Sequence, residues 1–358
     1  MKQLRVAVFL ALVAGSAVPL SAGLITYTCD ANVSAGICNT LNTTIAGVYS
    51  NAFLNANANV YIQFGPTGLA SSLQYSTNVT YKEYVDALTA AENGFNDVAA
   101  VNSLGGDVNN PVVRGDGVAL SSALATVLGL TTQAGSVGIT VGGLSCILGS
   151  NGCYNGRVTM SDAANTFYYR SGSQSSGTYD FYTAVEHETD EILGSASCIV
   201  GSGNNPATIT TSVNCTNGPP ATGVGAADLF RYASSGTRSY LTTANNTTAY
   251  FSINGGVTNI AGYNNRPNGA DYGDWDSTSI RVQNAFGTPC NTSTPATTAA
   301  TCQLGTDITN DGGSAIRVLD AVGYTVVPEP GTVGLFGLGF AGIGLFAYRR
   351  RYTRVQPR

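Results

Sequence analysis

Eight cysteines constrain this chain more than any other feature. Cys29, Cys38, Cys146, Cys153, Cys198, Cys215, Cys290 and Cys302 all fall between two terminal segments that read as targeting signals. The first segment opens with Lys2 and Arg5, runs through apolar residues from Val6 to Val13, and ends in small residues at Ser21, Ala22 and Gly23. This is the charged, apolar, small-residue order of a secretory signal peptide and assigns residues 1–23 to it. An even number of cysteines in an exported body reads as disulfides. Sequence neighbours pair most naturally, as Cys29–Cys38, Cys146–Cys153, Cys198–Cys215 and Cys290–Cys302, because each pair closes a Gly/Asn/Thr-rich stretch. A cysteine-held zinc is disfavoured, since no C-x-x-C occurs.

At the other end, Val327-Pro328-Glu329-Pro330-Gly331 precedes an apolar stretch from Thr332 to Tyr348, and Arg349, Arg350 and Arg351 follow. The stretch is just long enough for a membrane-spanning helix, with the arginines holding the tail in the cytoplasm. These residues resemble the PEP-CTERM sorting signal of Gram-negative bacteria. The resemblance implies an exosortase-type processing enzyme as partner and secretion through the inner membrane. It also implies transient anchoring by the C-terminal transmembrane helix 332–348, then release to the cell surface or extracellular matrix. The domain layout is therefore a signal peptide at 1–23, a body at 24–326 and a sorting signal at 327–358.

Charge narrows the partners. Charged residues make up 10% of the chain, with a net charge of −5. Between Leu24 and Val327, nine basic residues face twenty acidic ones, so the body is acidic and a nucleic-acid surface is excluded. A hydrophobic content of 43% suffices for a packed core.

Periodicity places the elements. Leu41, Ile45 and Val48 repeat as on a helix, and Val60, Ile62 and Phe64 alternate as on a strand. Thr80 and Glu83 form a capping box that opens a helix bearing Tyr84, Val85 and Leu88. Leu120, Leu124 and Leu128 read as a further helical stripe, and Val137, Ile139 and Val141 as a strand. After a Gly/Ser-rich loop from Ser171 to Gly177, a helix starts at Asp180, a good N-cap, and stops near Gly194. A last helical pattern holds Ile316, Leu319 and Val322. No repeat emerges, and the body reads as one α+β domain.

The chemistry concentrates in Glu186-His187-Glu188-Thr189-Asp190-Glu191. Three of the chain's six glutamates lie here, beside its one histidine. On a helix, His187 and Glu191 face the same way and Glu188 lies at the edge of that face. The spacing matches H-E-x-x-H zinc helices, in which two residues hold the metal and the glutamate between them is general base for a water. Here the second ligand is a carboxylate. Four acids in the C-terminal half of a helix also oppose its macrodipole, each by about 0.3–1 kcal/mol at an exposed site. No Lys or Arg lies within a turn, so a bound cation would compensate. The competing reading is a solvated acidic helix face with a surface histidine. Farther on, Asp271, Asp274 and Asp276 alternate with Gly269, Gly273 and Trp275, which suits either a calcium (Ca2+) loop or a plain surface turn.

Several stretches together resemble a family of exported bacterial, PEP-CTERM-tailed zinc metalloproteases with an HExxE-type helix. They are Tyr179-Asp180-Phe181, His187-Glu188-x-x-Glu191-x-x-Gly194, Asp228-Leu229-Phe230-Arg231-Tyr232, Tyr250 to Gly256, Gly273-Asp274-Trp275 and Leu319 to Tyr324. The helix motif is also similar to the start of the metzincin motif, with Glu191 and Ser197 standing where histidines would be. The resemblance implies a single metzincin-like zinc-peptidase domain with long loops, a Zn2+ cofactor and a peptide or protein substrate. By motif position it implies Asp228 as third ligand beside His187 and Glu191. Tyr232 would then donate to a tetrahedral intermediate beside the general base Glu188, and Arg231 would balance a carboxylate; the plain readings are Asp228 as a cap or salt-bridge partner of Arg231 and Tyr232 as packing. The alternative from another class is a non-catalytic cell-surface or matrix protein, a degenerate peptidase associated with exopolysaccharide in the bacterial envelope.

Overall fold

Strand β1 (Ile25–Cys29) buries Ile25 and Tyr27 and leaves Thr26 and Thr28 more open, as a strand packed on one face requires. Helix α1 (Ala35–Thr40) follows, capped by Ser34, whose Oγ accepts from the Ile37 amide. A π-helical turn (Leu41–Ile45) and α2 (Ala46–Ala52) continue it, burying Leu41, Ile45 and Tyr49. This helical crossover is what lets β2 (Ala58–Gly65) return parallel to β1, from Ile25 opposite Ala58.

The chain then forms β3 (Ala70–Gln74), β4 (Ser76–Thr80), α3 (Tyr81–Ala91), α4 (Phe95–Leu104), β5 (Gly117–Ser121) and α5 (Ser122–Val127). A hairpin of β6 (Val137–Ile139) and β7 (Ser145–Ile147) leads to β8 (Gly156–Ser161). The principal sheet has the order β1-β2-β8-β3, in which β8 runs parallel to β2 and β3 runs antiparallel at the edge.

The short parallel pair β9 (Phe167–Tyr168) and β10 (Tyr179–Asp180) delivers the chain to α6 (Phe181–Asp190), which lies over β3 and β8. Asp180 caps α6 by accepting from the Tyr182 and Thr183 amides. A π-helical turn (Glu191–Ser195) ends the helix, and Gly194 takes φ 125° to turn the chain away. Ile192 sits so close to β8 that a Cβ on Gly156 would come within 2.5 Å of it, so the glycine is a packing requirement. Beyond lie β11 (Val224–Gly225) beside β5, a 3-10 turn (Ala227–Phe230), and a small antiparallel sheet. That sheet comprises β12 (Arg231–Ser234), β13 (Thr237–Arg238), β14 (Tyr250–Phe251) and β15 (Ala261–Gly262), in the order β13-β12-β14-β15. Helix α7 (Ser314–Val322) closes the body and stops at Gly323, φ 133°.

The computed structural model describes residues 24–328 except 93, 107–110, 112–116, 131–135, 200–223, 240–247, 266–268, 277–278 and 291–302. The chain divides into two compact units, Met1–Thr325 and Val326–Arg358. The signal peptide and the expected span 332–348 lie outside the described residues, among which no helix is long and apolar enough to cross a membrane.

The architecture is mixed α+β, and most of the helical patterns fall on helices. The capping box at Thr80 is present on both sides: its Oγ1 accepts from the Glu83 amide while Glu83 accepts from the Thr80 amide. The stripe through Leu120 is a correction. Leu120 belongs to β5, and Ser121 caps α5 by accepting from the Leu124 amide, so a strand-to-helix junction interrupts what looked like one period. Disulfides join Cys29 to Cys38 and Cys146 to Cys153. Cys198 and Cys290 are disulfide-bonded too, and Cys215 and Cys302, their expected partners, lie outside the described residues.

Candidate metal centre

Every residue of α6 except His187 is buried, and the His187 side chain is only 16% exposed. The acids of this segment are therefore interior groups rather than a solvated face. They divide between two sides. Glu186 and Asp190 point into the core, where Glu186 Oε2 accepts from the Ile308 amide at 3.0 Å and Asp190 Oδ1 lies 2.7 Å from the Tyr49 hydroxyl. Burial raises both, Glu186 well above the carboxylate range and Asp190 to about 8, the Tyr49 hydroxyl opposing the rise at Asp190. His187, Glu188 and Glu191 take the other side.

There, His187 Nδ1 meets the Val282 carbonyl at 2.9 Å. In the neutral ring this contact makes Nδ1 the protonated nitrogen and leaves the Nε2 lone pair free to bind. Nε2 lies 3.5 Å from Asp274 Oδ1. Glu191, one turn after His187, accepts from Ser72 Oγ on β3 through Oε2 at 2.5 Å. One ligand atom each from His187, Glu191 and Asp274 lies within 4.8 Å of the others. Two ligands at about 2.1 Å on a tetrahedral ion stand about 3.4 Å apart, so the His187–Asp274 spacing suits a small divalent cation.

Asp274 arrives on a loop that packs back on itself. Its carbonyl accepts from the Asn264 amide at 2.7 Å, Trp275 bridges to Tyr263, and the Trp275 amide donates to the Gln283 carbonyl at 2.7 Å. Gln283 Nε2 then donates to the His187 carbonyl at 2.7 Å, linking loop and helix. Gly273 permits the approach: a Cβ there would stand 2.9 Å from the Ser197 nitrogen.

The electrostatics are those of a site short of positive charge. Burial, then Glu191, pushes Glu188 well up. Glu191 is raised by burial against the pull of His187, and Asp274 is raised well up by burial and by Glu191 and Asp271. For His187, burial alone would lower the pKa, but Glu188 and Glu191 outweigh it and the net shift is upward. Among the described residues Asp274 Oδ1 has no hydrogen-bond partner although it is buried, a costly state for a carboxylate oxygen unless a cation meets it.

Three sequence-derived candidates stand apart from this group. Asp228 is not in this group: Oδ1 accepts from Ser197 Oγ at 2.5 Å, and Oδ2 accepts from the Cys198 and Gly225 amides at 2.8 and 3.0 Å. The short turn Ala227–Phe230 aims its carboxylate at backbone donors, which it satisfies as a structural pin. Tyr232 lies buried on β12 with the Arg238 guanidinium 4.8 Å over its ring, away from the cleft walls. The stretch that reads as either a calcium loop or a surface turn is divided. Asp274 turns inward to His187 while Asp271 and Asp276 are exposed, and Asp274 alone of the three belongs to the ligand group.

The cleft beside the group has a volume of about 660 Å³, and its lining includes His187, Glu188, Asp271 and Asp274. Thr67 to Ala70, at the start of edge strand β3, and Phe286, which is 58% exposed, line it too.

Residues 326–351 match the PEP-CTERM protein-sorting motif, which marks an exported bacterial protein sorted at the membrane, with an exosortase-type enzyme as processing partner. No characterised protein and no solved structure matches the chain.

Proposed function

We propose that this protein is an exported zinc-dependent metallopeptidase of metzincin-like layout, with His187, Glu191 and Asp274 holding the metal and Glu188 as general base. The observation that carries the reading is the buried, unpartnered Asp274 Oδ1 facing His187 Nε2 at 3.5 Å. A zinc ion bound there would supply Lewis acidity and a water of lowered pKa. The chain's own residues do the rest. The Val282 carbonyl holds the His187 tautomer and Ser72 fixes the Glu191 rotamer. Glu188 lines the cleft next to the ligands without belonging to the ligand group, the position a base needs to take a proton from water and return it to a leaving amine. A cation held by this group would offset the negative charge of Glu191 that raises Glu188, favouring the ionised carboxylate a base needs.

A peptide substrate is supported by the edge strand. β3 pairs with β8 on one side only, and the residues leading into it line the cleft. An extended chain adding there would gain main-chain hydrogen bonds and cross the metal group.

Elemental analysis with peptide hydrolysis tests the reading. One zinc per chain is expected, with Glu188→Gln keeping the metal and losing turnover by about 10²–10⁴-fold or more. A metal-free protein at micromolar zinc, or full turnover in Glu188→Gln, would favour the non-catalytic surface role instead.

A further inference from the structure

Arg231 is fully buried with no carboxylate at ion-pair distance among the described residues. Nη1 donates to the Tyr272 carbonyl at 2.6 Å, Nη2 donates to Asn265 Oδ1 at 2.7 Å, and the guanidinium carbon stacks 4.3 Å over the Tyr263 ring. Nε has no partner. Burying a cation on neutral acceptors is expensive, and a plain hydrophobe would pack β12 more cheaply. What the guanidinium does touch is informative. Tyr263 and Asn265 begin the segment that ends in Asp274, and Tyr272 lies two residues before it. The planar fork grips both ends of one loop, which a lysine could not do.

We infer that Arg231 is a positioning residue for the metal group, holding Tyr263, Asn265 and Tyr272 so that Asp274 meets His187. This rests on the metal-centre reading above, and it relocates the significance of the Asp228-to-Tyr232 stretch from the first residue to the fourth. The guanidinium touches none of the ligands and acts through the loop backbone.

The test compares wild type with Arg231→Lys, Asn265→Ala and the double variant, and takes Leu88→Ala, a buried position on α3, as a control for lost stability. Zinc affinity is measured by competition with a chromophoric chelator, and amide exchange is followed in the metal-free protein. Each clamp variant is expected to weaken zinc binding by about 10–100-fold, the usual effect of removing a support behind a ligand. The double variant should be no worse than Arg231→Lys, because one grip is lost either way. Protection should fall at the Asn264 amide, which donates to the Asp274 carbonyl, and persist in β2 and β8. Leu88→Ala should keep wild-type affinity. Arg231→Lys binding zinc like wild type, or Leu88→Ala losing as much, overturns the inference. If Arg231→Lys does not fold, Asn265→Ala decides by the same readings. A wild type that binds no zinc sinks the metal centre, and the exchange data still judge the clamp: unchanged protection at Asn264 refutes it.

Discussion

His187 Nε2 and Asp274 Oδ1 stand 3.5 Å apart, although they come from a helix and from a loop far along the chain. The pairing gives each residue its chemical meaning. Without Asp274, His187 and Glu191 would be two ligands on one helix turn. Without His187, Asp274 would be a buried carboxylate set against the like charge of Glu191.

Asp274→Asn and Asp228→Asn should therefore fail in different ways. On the proposed reading the first removes a ligand, and it is expected to reduce metal affinity by more than the roughly 10–100-fold that supporting residues contribute. The second should retain metal but lose stability. It sets an amide group against donors from Ser197, Cys198 and Gly225, at about 1–3 kcal/mol for groups left unsatisfied in the interior. Paired zinc titrations and denaturant midpoints separate the two, and the opposite pattern would return Asp228 to the metal.

What the sequence discloses follows from range. The helix, its Asp180 cap, its end near Gly194 and the joint orientation of His187 and Glu191 are local, set by spacing and capping chemistry. The third member of the candidate group is not local. Asp228 and Asp274 lie in equally suggestive stretches, and only the tertiary fold brings one of them to His187. Gly273 was the available clue, because a glycine beside an acid marks a close backbone approach. Ser72 and Val282 carried no signal, since a serine in a polar strand and a backbone carbonyl look like any other. Most strands beyond β8 were also illegible: pairs of two residues have no measurable period.

Gly194→Ala should test how the chain leaves the helix. Gly194 has φ 125°, where an L side chain is strained, and a Cβ would come 3.0 Å from the Leu124 side chain. A loss of about 1–3 kcal/mol is expected. Chemical denaturation measures it, and an unchanged midpoint would mean that the turn relaxes without penalty.

The Cys29–Cys38 bridge ties β1 to α1 across a sequence separation of 9. Replacing both cysteines by serine should lower stability by about 2–3 kcal/mol in the chain-entropy model, with the metal group intact. Retained zinc binding beside a lowered thermal midpoint is the expected pair of results. Loss of both would show that β1 supports the site directly.

Asp320 on α7 gives a pH signature away from the metal. Asn96 Nδ2 donates to its Oδ2 at 3.0 Å, while burial first and Asp97 second push its carboxyl up to about 7. The unfolded chain releases this proton near the ordinary value of about 3.9. The folded protein thus binds the proton more tightly, and by linkage the contribution to stability is full below about pH 4 and is lost as pH rises through about 7. Asp320→Asn removes the titration while keeping an oxygen for Asn96. Its thermal midpoint relative to wild type, taken in chelator at each pH, should rise from pH 4 to pH 7 and then level off. A difference that stays flat over this range would mean that Asp320 is ionised in the folded protein without penalty, and that the contact between α4 and α7 holds no shared proton.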